Sequence, residues 1–210
     1  MKLPALMIAL LLAGCSTRPA PPSWQPDAKD ALDAFTEDYL RGSTGAANAN
    51  FARARRETTS TGRADFVAQV ELVRCAVLAA SLEFDACPGF AALASDATAQ
   101  QRAYAAYIAG RWEGLDVAAL PEQHRTVVGS GSIAAVTDPL AKLVAAGALF
   151  KSGRIAPADI GAATETASSQ GWRRPLLMWL GVAQKRAEAL GDAAGVEQIK
   201  RRIALASGQK

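Results

Sequence analysis

The sequence predicts an all-α protein, a helical bundle whose C-terminal half is made of antiparallel helical hairpins. Three observations carry that expectation. The 210-residue chain is alanine-rich, half hydrophobic and only 6% aromatic, a composition that suits helices better than the β-branched and aromatic usage of sheets. Its apolar residues recur at steps of three and four. Pro121, Pro139, Pro157 and Pro175 are spaced by 18 residues each time, a period that matches one helix and one turn.

The chain opens with Lys2, an apolar run from 5 to 13, and then Leu12-Ala13-Gly14-Cys15. That run is about nine residues, where a transmembrane helix needs roughly 20, so it reads as a signal segment. The tetrapeptide resembles the lipobox of bacterial lipoproteins. The resemblance implies diacylglycerol transfer to the Cys15 sulfur, cleavage after Gly14 and acylation of the new amino terminus. The membrane is then a partner through Cys15, since several acyl chains hold firmly where one binds marginally. Ser16 follows the cysteine, with no aspartate to resemble an inner-membrane retention signal. The expected location is therefore the outer membrane, with the body facing the periplasm.

Four prolines at 19, 21, 22 and 26 predict an extended tether from 15 to 26, reaching about 34 Å at most. The N-terminal helical region is expected over 27–128. Its first helix places Ala28, Ala31, Leu32, Phe35 and Tyr39 on one stripe, with Gly42 as its stop. An arginine-rich second helix is expected over 44–57 and a turn over 58–62. The third, 64–82, is apolar nearly all round and should be the central buried helix. A short helix near 88–93 and a longer one over 97–109 complete this half.

The C-terminal helical-hairpin region is expected over 132–208, across a flexible Gly129-Ser130-Gly131-Ser132 joint. Proline suits the first helical position and Asp the N-cap. Gly153, Gly171 and Gly191 fall where the preceding helices should stop. From Asp138 to Ala206 the chain resembles tetratricopeptide-like hairpins in unit length and small residues, although no unit carries the full aromatic, Leu-Gly and Ala consensus.

Loss of Lys2 with the leader lowers the net charge from +3 to +2, which gives no case for a nucleic-acid partner. With Cys15 acylated, Cys75 and Cys87 remain as a pair in a compartment that permits disulfides. A bridge is the economical reading, with two buried thiols as the alternative, and it would stabilise the fold by about 3 kcal/mol. One histidine and two spare cysteines make a poor metal site. With no Gly-rich phosphate loop and no HExxH, no cofactor is expected.

His124 sits in a polar stretch and reads as a surface histidine. Glu71, in the most apolar helix, should pair with Arg74. The clusters Arg53, Arg55, Arg56 and Lys200, Arg201, Arg202 read as solvated helix faces. The segment from 171 to 175 is the best candidate for a partner-binding surface. Arg173 and Arg174 at a helix start oppose the positive end of the dipole, and Trp172 and Trp179 flank them. The alternative is local ion pairs with core tryptophans. The chain is thus expected to be a lipid-anchored, non-catalytic envelope adaptor that binds a protein partner. A peptidoglycan-acting enzyme using Glu71 or Glu113 as acid, or a carrier of a small apolar ligand, are the other readings.

Overall fold

In a computed structural model of the chain, residues 23–208 are described, and among them every regular element is a helix. The leader, Cys15 and tether residues 16–22 lie outside the described residues. Helix α1 spans Trp24–Arg41, α2 Thr44–Thr59, α3 Ala64–Ala80, α4 Pro88–Ala91 and α5 Ala99–Ile108. After a 3-10 turn at Val117–Ala119 come α6, Glu122–Ser130, and α7, Pro139–Lys151. Helices α8 (Pro157–Ser169), α9 (Arg173–Ala189) and α10 (Ala193–Ser207) complete the chain.

The tether expectation ran too far, because α1 begins at Trp24 and takes Pro26 into its first turn. There the missing N-H has no intrahelical acceptor to lose. Trp24 also has something to pack on, its ring lying 5.0 Å from that of Phe66. Gly42 ends α1 with φ of 93°, its N-H reaching the Tyr39 carbonyl. The stripe of Ala28, Ala31, Phe35 and Tyr39 is buried as its spacing requires.

Helix α3 is the centre of the molecule and packs against α1, α2, α4, α5 and α7. It is apolar nearly all round because five helices surround most of it. Leu72, Val77 and Ala80 are at most 1% exposed, and full burial of a Leu or Val contributes roughly 1.5–3 kcal/mol. Cys75 and Cys87 form a disulfide with Cα atoms 5.7 Å apart, tying α3 to the loop before α4.

The second buried helix is α7, whose run from Leu143 to Leu149 is sealed from solvent. It meets α3 at Gly147, where an added Cβ would lie 2.2 Å from the Ala79 carbonyl oxygen. That glycine sets how closely the two helices approach. A single hydrophobic cluster then runs from Phe35 in α1 through α3, α5 and α7 to Trp179 in α9.

Sequence punctuation decides the second half. Pro139 and Pro157 open their helices, and the Asp138 and Asp192 carboxylates accept the N-H groups of Ala141 (2.7 Å) and Gly195 (2.9 Å). Gly153, Gly171 and Gly191 all have φ near 70°, the left-handed value that ends a helix cheaply only with glycine. Pro175 is the exception, standing third in α9 behind Arg173. From α7 to α10 each helix packs on the next. The presumed flexible joint is instead fixed: Gly131 caps α6, and the Ser132 hydroxyl and Ile133 N-H donate to the buried Asp159 carboxylate at 2.9 and 3.2 Å.

Candidate functional site

The segment from 171 to 175 is turned inward. The Trp172 indole N-H donates to Glu37 at 3.1 Å, and its ring is buried. Trp179 is fully enclosed, its indole N-H donating to the Ala80 carbonyl at 3.2 Å. Arg174 donates to the Tyr39 carbonyl (2.8 Å), the Thr44 hydroxyl (2.6 Å) and Glu83 (3.3 Å), with its guanidinium 4.2 Å from the Tyr39 ring centre. Burial among these groups pushes the Tyr39 phenol well above its usual range, and the Glu83 contact adds to the effect. Three of the four proposed partner-binding residues therefore spend their polar groups on α1, α2 and α3. Arg173 alone stays exposed. The reason is a packing one, since α9 lies against α1.

Glu71 is buried, and its carboxylate accepts from Arg55 of α2 at 2.9 Å, not from Arg74. Arg74 instead reaches Asp85 in the loop beyond α3 at 2.8 Å. Arg55 reaches Glu71 because α2 packs against α3. Gly89 lies directly over the Glu71 carboxylate, which leaves no room for a side chain. Glu113 is exposed in the loop after α5.

His124 is 2% exposed rather than on the surface. Because Pro121 starts α6, His124 and Val127 share its inner face, and both are buried. The ring lies 4.9 Å from that of Tyr107 and 5.4 Å from that of Tyr104, with Nδ1 3.3 Å from the Tyr107 hydroxyl. Burial pushes the imidazole down to about 4, against a smaller opposing pull from Asp138, so it is neutral at pH 7. Burial also raises Tyr104 and Tyr107. Tyr107 stacks in turn on Trp112 at 5.3 Å. The signal available in the sequence was the three-residue step from His124 to Val127 behind a helix-opening proline.

This aromatic stack backs an open cleft of about 670 Å3 between α3, α5, α6 and the start of α7. Its charged groups are already engaged. Asp65 is paired with Arg63, Arg125 donates to the Leu120 carbonyl, and Asp138 caps α7. Gln101 is tied into a capping box and to the Asp65 carbonyl. Gln100 and Gln123 also line the cleft, their side-chain amides without a hydrogen-bond partner among the described residues. The cleft thus offers uncharged donors and acceptors beside the ring of Tyr104. Glu71 and Glu113 do not line it.

Among the described residues no group of three or more His, Cys, Asp or Glu side chains gathers as a metal site, and no helix is long and apolar enough to cross a membrane. Comparison with protein-family models, with curated proteins and with solved structures returned no match.

Proposed function

We propose that the chain is a lipid-anchored adaptor of the bacterial cell envelope, acylated on Cys15, that holds an extended segment of a protein partner in the cleft between α3, α5, α6 and α7. The anchor rests on Leu12-Ala13-Gly14-Cys15 and on the prolines that follow it. The observation that carries the adaptor reading is the cleft itself, a groove whose ions are spent internally and whose side-chain amides at Gln100 and Gln123 have no partner among the described residues. An extended peptide offers one N-H and one C=O per residue, and a carboxamide supplies both a donor and an acceptor to meet them. Because the groove is built on the two most buried helices, α3 and α7, little ordering is lost on binding.

The same geometry favours holding over cleavage. Glu71 and Glu113 lie elsewhere, and the two carboxylates at this cleft already serve Arg63 and the α7 N-terminus. The partner surface is thus the cleft, not Arg173 and its neighbours, whose tryptophans are buried.

A photoreactive amino acid placed at Gln123 tests the reading. Irradiated envelopes are expected to yield one discrete crosslinked protein species, absent when the same probe stands at the distant Arg53. No species from Gln123, or the same products from both positions, would overturn it. The anchor is tested separately: Cys15→Ser is expected to move the protein from the membrane to the soluble envelope fraction, and retention at the membrane would remove Cys15 as the anchor.

A further inference from the structure

A second pocket, of about 400 Å3, opens beside the disulfide on the other side of α3. Its size falls within the range of roughly 300–1,000 Å3 typical of small-molecule sites. Its walls are apolar and unusually small, with Ala79, Ala91, Ala94, Ala105 and Ala109 on α3, α4 and α5 or just beyond their ends. Alanine at each of these facing positions is what leaves the space open.

The rim carries four charged side chains: Glu83, Asp85, Arg111 and Lys151. Both acids are already matched, Glu83 by Arg174 at 3.3 Å and Asp85 by Arg74 at 2.8 Å. Neither cation has a carboxylate within ion-pair distance among the described residues. Lys151 instead rests 5.0 Å from the centre of the Phe84 ring at the pocket wall. Nor are the two cations consumed in closing helix ends, because backbone N-H groups cap those carbonyls. The Arg111 N-H reaches the Ala106 carbonyl at 3.0 Å, and the Arg154 N-H reaches the Leu149 carbonyl at 2.8 Å. Gly110 holds the cations at one rim, since a Cβ there would sit 2.9 Å from the Lys151 backbone.

The loop from 82 to 87, which carries Phe84, is strained. Leu82, Ala86 and Cys87 all adopt φ between 56° and 58°, a conformation that costs a residue with a Cβ about 1 kcal/mol or more. Three such residues in one short loop, two of them lining the pocket, hold its mouth in a shape that local preference would not choose. Strain of this kind concentrates where a binding surface must be held in shape.

We propose that this pocket binds a small amphiphilic anion, an aliphatic chain ended by one carboxylate, with the chain against the alanine walls and the carboxylate between Arg111 and Lys151. A lone uncharged chain leaves both cations unmatched, whereas a carboxylate presents one oxygen to each. The site is independent of the adaptor cleft and does not rest on that reading.

Calorimetric titration of the full chain carrying Cys15→Ser tests it, using dodecanoate, dodecanol and dodecyltrimethylammonium below their micellar concentrations. Dodecanoate is expected to bind with one-to-one stoichiometry, and the alcohol and the cation at least about tenfold more weakly. The Arg111→Glu, Lys151→Glu double variant should weaken dodecanoate by at least about tenfold, while Arg53→Glu, Arg56→Glu, the same charge change on α2, should leave it unaltered. Ala105→Leu fills the chamber and should abolish binding with the helical circular dichroism signal retained. If that variant fails to fold, the charge pair decides alone. Equal affinity for dodecanol, undiminished binding by the Glu double variant, or no binding of dodecanoate by the folded chain would each overturn the assignment.

Discussion

The region from 139 to 208 and the region from 23 to 131 are both helical, yet they are built on different logic. In the later region, proline, aspartate and glycine mark almost every helix start and stop, and each helix packs on the next in sequence. In the earlier one, α3 gathers five other helices around itself, and its polar groups find partners far away along the chain. Glu71 meets Arg55 of α2, and the Ala80 carbonyl meets Trp179 of α9. Both clefts border α3, and only the start and end of α7 reach them from the periodic region. Regular stacking fills its own space, whereas irregular packing around one helix leaves gaps that can be used.

If α3 and α7 form the seam between the regions, the largest effect belongs to Gly147→Ala. Alanine is favoured over glycine inside a helix by about 1 kcal/mol, but the added Cβ would meet the Ala79 carbonyl oxygen at 2.2 Å. Overpacking against backbone should win, with a net loss of about 3 kcal/mol and a fall in Tm of about 10 °C by calorimetry. A Tm at or above that of the parent would dissolve the seam.

His124 makes the stability depend on pH. Its folded pKa, near 4, is depressed from an ordinary 6.5. The unfolded chain therefore binds the proton first as pH falls, and the stability present above pH 6.5 is lost between 6.5 and 4. The loss is bounded at about 3 kcal/mol. Denaturant unfolding across this window should show a slope in the parent that is reduced in His124→Gln, and parallel curves would place the ring in water.

The neighbours Arg173 and Arg174 sharpen the comparison, because only the second bridges α9 to the early helices. Arg174→Glu should cost about 2–3 kcal/mol, through the hydrogen bonds lost to Tyr39 and Thr44 and the repulsion created at Glu83. Arg173→Glu should stay within about 0.5 kcal/mol. Equal urea midpoints for the two variants would contradict the bridge. Smallest of all is Leu205→Asp on α10, a helix with no buried residue. Leu205 is 81% exposed, so a change within about 0.5 kcal/mol is expected, and a marked loss would mean that α10 is covered.

Legibility in the sequence follows the same division. The helices from α7 to α10 could be placed from Pro139, Pro157, Asp192 and the three glycines, because caps and stops act within a few residues of themselves. Helix α3 was recognisable as buried, because an apolar surface on all sides has only one use. What escaped were the pairings across helices. His124 read as a surface residue because its flanking residues are polar, although α6 turns it inward against Tyr104 and Tyr107. Trp172 and Arg174 read as a surface because the sequence cannot show that α1 lies beneath them.

The sequence by itself determined the helical class, the punctuation of the later helices, the central place of α3 and the candidate acylation signal at Cys15. All of these are properties of residues and their near neighbours. Only the tertiary structure decided which arginine meets which acid, and so which charges remain free for another molecule. Among the described residues, Glu83 and Asp85 are matched by arginines while Arg111 and Lys151 have no carboxylate partner. That outcome depends on helix crossings set by buried contacts such as Gly147 on Ala79. Side chains far apart in the chain come within a few ångströms only after the core has closed.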